Sequence, residues 1–170
     1  MPPFRIEPLA SSASVCTALS EILIEVVAHG GSVSFMYPLS REAALTFWES
    51  SLAAADRGER IVLGAFDAEV LIGTVTLQLD LPPNQPHRAE IAKMMTRLGH
   101  RHRGAATALL RAAEALAIDR GRTLLVLDTA SGEAERLYVR GGWQRAGVVP
   151  DYAMWPGGGF CDTVFFWKKL

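Results

Sequence analysis

A mixed β-sheet with helices packed on its faces, α/β in the broad sense, is the fold class this sequence predicts. Three observations carry that expectation. Two segments near the start have apolar residues at helical spacing, with β-rich runs following them. "RIVLGAF" and "VLIGTVTLQL" flank the short turn Asp67–Glu69, a hairpin signal. "TLLVLD" (Thr123–Asp128) is a continuous apolar run between two helical segments, as expected of a strand covered on both faces. The length, 170 residues, suits one compact domain over 1–170 with a core that needs no disulfide or metal.

The elements follow in order. "FRIEPL" (Phe4–Leu9) reads as a first strand. From Ser12 to Val27, the residues Val15, Leu19, Ile22, Leu23 and Val26 recur on one helical face, and Gly30 or Gly31 closes that helix. Ser40 caps a second helix reaching about Asp56, with Glu42 in its first turn. The strands Arg60–Phe66 and Val70–Leu79 come next; "LPPNQP" breaks the chain, and Arg88–Thr96 reads as another strand. Ala106, Leu109, Leu110, Ala113, Leu116 and Ala117 then form the apolar face of a helix that Gly121 stops. After Thr123–Asp128 comes a short helix in "GEAERLYVRGG". "WQRAGVV" and "DTVFFWKKL" are expected as two closing strands.

Composition narrows the function. The formal net charge is −1, which argues against a general nucleic-acid binder. Cys16 and Cys161 stand far apart without a CxxC pair, so free thiols and no metal site are expected. No apolar stretch reaches membrane-spanning length and "MPPFRIEPLA" does not read as a secretory signal; a soluble cytoplasmic protein is the expectation, with no membrane partner.

Positive charge is instead local. "GHRHRGAATALL" (Gly99–Leu110) places His100, Arg101, His102 and Arg103 before an apolar helix. In Arg101-x-x-Gly104-x-Ala106, the glycine permits close backbone approach and the alanine keeps the next turn small. Free N–H groups and the dipole at a helix start favour an anion, with Arg101 and Arg103 adding to the field. A solvated basic turn is the plainer reading of so short a pattern. Asp128 ends an apolar strand, where open α/β sheets place ligand chemistry, although a helix-capping role competes with it. His29, Ser32, Ser34 and Phe35 are candidates to line an acceptor pocket, His29 reading otherwise as a residue at a helix end. Tyr152 and Trp155 are candidates to close that pocket, or simply packing.

The order strand "AEIAKMMT", loop "RHRGAA", helix "ATALLRAAEALA", strand "TLLVLD" and then "AERLYVRGGW" resembles the GNAT N-acetyltransferases. Their pyrophosphate loop is written [Q/R]-x-x-G-x-[G/A]. Their later helix often carries A-x-x-[L/F]-Y-x-x-x-G-[F/W], matched here by Ala134, Leu137, Tyr138, Gly142 and Trp143. From about His29 onward, "HGGSVSFM", "HRAEIAKMM", "LLVLDTASGEAERLY" and "GVVPDYAM" resemble the tabtoxin-resistance type, which acetylates a small amino-acid-like toxin. Two departures are His102, where an Arg-Gly pair is common, and Leu98, where a proline is common.

The resemblance implies a mostly antiparallel central sheet with helices on both faces, and an acetyl-CoA-dependent transfer to a small amine without a metal. It implies that Arg101, His102, Arg103, Gly104, Ala105, Ala106 and Thr107 hold the pyrophosphate. The backbone of Met94, Met95 and Thr96 would bond the pantetheine arm and acetyl carbonyl. Glu90, on the strand where that family often carries its base, and Asp128 are the two candidate carboxylates, with the choice between them open and Glu90 reading otherwise as a surface partner of Arg88 or Lys93. The resemblance makes Tyr138 the acid beside the cofactor sulfur. A physiological role in toxin resistance is implied; a homodimer is left open. Two rival readings are a non-catalytic acyl-CoA sensor and a protein or peptide N-acetyltransferase.

Overall fold

The computed structural model describes residues 4–170. Its elements are β1 (Arg5–Pro8), α1 (Ala13–Ala28), α2 (Arg41–Asp56), β2 (Arg60–Asp67), β3 (Val70–Gln78), β4 (Arg88–Thr96), α3 (Ala105–Asp119), β5 (Leu124–Thr129), α4 (Gly132–Arg140), β6 (Gln144–Met154) and β7 (Phe160–Lys169). A 3-10 turn, Leu98–His100, precedes α3. The strands form one seven-stranded sheet in the order β1-β2-β3-β4-β5-β7-β6. Every neighbouring pair is antiparallel except β4 and β5. A parallel pair needs a crossover, and α3 supplies it.

Capping side chains start the helices. Ser12 Oγ accepts from the Val15 N–H (3.2 Å), Ser40 Oγ from Ala43 (3.1 Å) and Ser131 Oγ from Ala134 (3.4 Å). At the end of α1, Gly30 takes φ 83°, and the N–H of Gly31 donates back to the Val26 carbonyl (2.9 Å). That left-handed turn releases the chain toward α2 and suits a residue without a Cβ.

The sheet carries a core on each face. Ile61, Leu63, Ala65, Ile72 and Val75 pack with Leu109, Leu110, Ala113 and Ala117 of α3, and with Tyr138, Trp143 and Phe166. Val62, Leu71 and Met95 pack on the other face with Leu19, Ile22, Leu23 and Val26 of α1 and Trp48 and Leu52 of α2. Alternate residues of β2 thus go to opposite layers, the period-two signature of a strand buried on both sides.

The last hairpin corrects the sequence reading. β6 runs to Met154, five residues past the expected end at Val149, and β7 begins at Phe160 instead of Asp162. A register irregularity between Val149 and Ala153 makes room for Pro150, which has no N–H to give a ladder, and Asp151 there takes φ 51°. The Asp162 carboxylate accepts from the Asp151 N–H (3.0 Å) across the irregularity. Tyr152 is therefore a strand residue, set edge-on to Phe165 with ring centroids 5.8 Å apart.

Candidate active site between the splayed strands

The site begins where β4 and β5 part. Their ladder ends at Glu90–Val126, and the two strands diverge beyond it. β4 also bulges: its register against β3 slips opposite Thr74–Thr76, and Lys93 takes φ 52°. The extra residue reverses which face each later side chain meets. Ala89 and Ile91 pack on the α3 side and so does Met94, whereas Met95 packs on the α1–α2 side. The Arg97 N–H donates to the Ile72 carbonyl (2.8 Å). By ladder alternation the N–H groups of Met94 and Thr96 face away from β3, into the gap.

A cleft of about 1000 Å³ occupies this gap. Its walls come from the loop after α1, the bulged end of β4, the start of α3, the end of β5 and one face of α4. At the α3 end, His102 (φ 60°) and Gly104 (φ 92°) are both left-handed, and the first intrahelical bond is Ala108 N–H to Gly104 O (3.0 Å). The N–H groups of Ala105, Ala106 and Thr107 therefore have no partner within the helix, and all three residues line the cleft. Such a cluster of free backbone N–H groups can seat an anion, and Arg101 and His102 stand beside it.

Residues 28–147 match the profile of the acetyltransferase (GNAT) family. The chain belongs to that family. An N-acetyltransferase from Staphylococcus aureus Mu50 shares 18% identity, with 98% of each chain covered and a TM-score of 0.80. A phosphinothricin acetyltransferase from Sinorhizobium meliloti, solved with acetyl-CoA, shares 19% identity over 99% of this chain and 89% of that one, at TM-score 0.80. A ribosomal-protein-alanine N-acetyltransferase from Brucella melitensis shares 19%, covering 98% and 99%, at TM-score 0.79. These likenesses establish the fold; the family profile establishes an acetyltransferase that uses acetyl-CoA as co-substrate.

The residues present suit that co-substrate. Unpaired helix-start N–H groups and a left-handed glycine with nothing within 4 Å of where its Cβ would stand fit a pyrophosphate. The open edge of β4 offers N–H groups to an extended amide-bearing arm.

The GNAT cleft gathers most of the predicted site residues. His29, Ser32, Ser34, Met94, Met95, Thr96, Arg101, His102, Gly104, Ala105, Ala106, Thr107, Asp128 and Tyr138 all line it. Four predicted residues lie outside its lining, Tyr152 of β6 among them. Arg103 turns back to Asp67 (2.9 Å) and stands 5.7 Å over the Phe4 ring, so its charge braces the loop against β2. Glu90, the last β4 residue paired with β5, is engaged by Arg88 (2.6 Å). Phe35 packs edge-on to Phe47 of α2 (5.1 Å).

Asp128 and Tyr138 have distinct environments. Asp128 accepts a hydrogen bond from Thr163 Oγ1 (2.7 Å), while Ser131 caps α4, so the aspartate is not spent on capping. Tyr138 is only 4% exposed, against Trp143 and Phe166 (centroids 5.8 Å each). Burial, with the negative Asp128 nearby, pushes its phenol up to about 12.

Trp155, a candidate to close the pocket, lines the cleft, and among the lining residues that sequence reasoning missed are Lys93, Arg136 and Arg140. Arg136 and Arg140 are one helical turn apart, a spacing that puts both on one face of α4. Nothing in "AEIAKMMT" signals that Lys93 leaves the strand's alternation.

Proposed function

We propose that this acetyltransferase transfers acetyl to the amine of a small, amino-acid-like acceptor by direct attack, with Asp128 taking a proton and Tyr138 giving one. The supporting observation is the placement of Asp128 and Tyr138 in one cleft with the helix-start anion seat. Acetyl-CoA supplies a thioester-bound acetyl group.

Asp128 attracts the acceptor's ammonium group and accepts its proton, directly or through water, freeing the nitrogen lone pair. The nitrogen forms a C–N bond as the C–S bond breaks. Tyr138, fully protonated at neutral pH, delivers its phenolic proton to the departing sulfur, and the second proton that the nitrogen sheds in becoming an amide returns to the phenolate, directly or through water. The N–H groups of Met94 and Thr96 meet the charge that develops on the carbonyl oxygen. Of the two candidate carboxylates, Asp128 takes the proton-accepting role, because Glu90 is engaged by Arg88 outside the cleft lining.

The small-molecule reading draws on the resemblance to tabtoxin-resistance-type enzymes and on the structural likeness to a phosphinothricin acetyltransferase. A toxin-detoxifying role belongs to the same proposal. The test is turnover of acetyl-CoA against an amine panel, read by thiol release and by the mass of the product. Asp128→Asn and Tyr138→Phe each lower kcat by roughly 10²–10⁴-fold, with acetyl-CoA affinity little changed. Absence of product with every amine, or wild-type kcat in both variants, overturns the proposal.

A further inference from the structure

Lys93 is unusual in three independent ways. Its backbone is left-handed (φ 52°), a conformation costing an L-residue about 1 kcal/mol or more, yet it lies in the middle of a strand. Its side chain lines the cleft. Its ammonium donates to Ser34 Oγ (3.0 Å), across 59 residues of chain, and Ser34 is itself left-handed (φ 75°). The bulge therefore aims a cation at the acceptor side of the cleft, beside the loop from Gly30 to Ser34.

The surroundings act on this charge in opposite directions, burial lowering the affinity for the proton on balance. The Phe35 and Phe47 ring centroids lie 6.0 Å and 5.7 Å from Nζ, a separation at which ring faces attract a cation. Burial lowers the affinity of Lys93 for its proton and the charge of Asp128 opposes that. An ammonium has three donors, and Ser34 takes one. Two remain, and a partly desolvated cation with unused donors is a receptor for an anion.

We infer that Lys93 is a specificity-determining residue that receives an anionic group of the acceptor, a carboxylate, while Asp128 receives its ammonium. The inference rests on the proposed amino-acid-like acceptor and names the residue that selects it. Lys93 and Asp128 line the same cleft, so they suit the two ends of one small zwitterion. Ser34 holds the lysine in place and is a positioning residue.

The experiment uses α-, β- and γ-amino acids, each paired with its carboxamide. Calorimetry in the presence of coenzyme A measures binding without turnover; kinetics with acetyl-CoA measures kcat and KM. In the wild type at least one free acid binds tenfold or more tightly than its amide, in line with one charge-assisted pair. Lys93→Gln brings that acid-to-amide ratio close to one, chiefly through KM, and Lys93→Arg keeps a clear preference for the acid.

A wild type that binds no acid in preference to its amide overturns the inference. So does a Lys93→Gln variant that loses kcat for acids and amides alike without rescue by arginine, which would mark Lys93 as a proton acceptor instead. The two proposals fail separately. Lys93-dependent binding of acids that are never acetylated contradicts the proposed reaction alone. Acetylation that ignores amidation contradicts the role of Lys93 alone.

Discussion

At the scale of residues, Tyr138 links packing to chemistry. Its phenol lies between Trp143 and Phe166, and burial raises its pKa from the ordinary 10 to about 12. The fold therefore binds the phenolic proton more tightly than the unfolded chain does. The associated stability is complete below pH 10 and is lost as pH rises through 12. At pH 11, one unit beyond the ordinary pKa, that loss is on the order of 1 kcal/mol. Urea unfolding of the wild type and Tyr138→Phe at pH 9 and pH 11 checks this: the wild type loses the extra stability and the phenylalanine variant does not. The same shift keeps Tyr138 protonated at neutral pH, as its proposed acid role requires.

At the scale of elements, the start of α3 and the end of α4 make separable predictions. Gly104 combines φ 92° with open space where a Cβ would go. Alanine there meets only the strain of the left-handed backbone, about 1–2 kcal/mol. Aspartate adds a negative charge at the anion seat, and acetyl-CoA affinity measured by calorimetry falls roughly 10–100-fold. Unchanged affinity in Gly104→Asp would remove the seat from the binding site.

Behind α4, Glu114 of α3 accepts from Trp143 Nε1 (2.8 Å) and from Lys168 Nζ (2.8 Å), and Lys168 also donates to the Gly141 carbonyl (2.7 Å). The carboxylate is only 14% exposed, so its removal leaves a buried indole N–H and a half-buried cation short of a partner. Glu114→Ala is expected to lower unfolding stability by about 2–3 kcal/mol, measured by urea denaturation. Because the node fixes the turn that follows Tyr138, the variant also tests whether α4 depends on α3 for its seat.

At the scale of the whole molecule, much of the sheet was legible in the sequence because its signals are local. Serine caps, left-handed glycines and apolar periodicity set the ends of α1, α2 and α3 within a residue or two. The start of α3 was legible because Gly104 and the small residues after it write a helix start directly into the chain. The bulge at Lys93 was not, since "AEIAKMMT" contains no glycine or proline and its irregularity arises from pairing with β3. Arg103 was misdirected for a related reason: its partner Asp67 is distant in sequence, and only the fold brings the two together. The far half of β6 was hidden by Pro150, which a bulge accommodates.

The gap between β4 and β5 is the proposed acetyl-transfer site, with its anion seat at α3 and its acid at Tyr138. A crystal structure with acetyl-CoA tests it most directly. The pyrophosphate is expected on the N–H groups of Ala105–Thr107, the extended arm along Met94–Thr96, and the sulfur within roughly 3–4 Å of the Tyr138 hydroxyl. A pyrophosphate bound away from the α3 start, or a thioester that enters the gap yet lies out of reach of Tyr138, would contradict it.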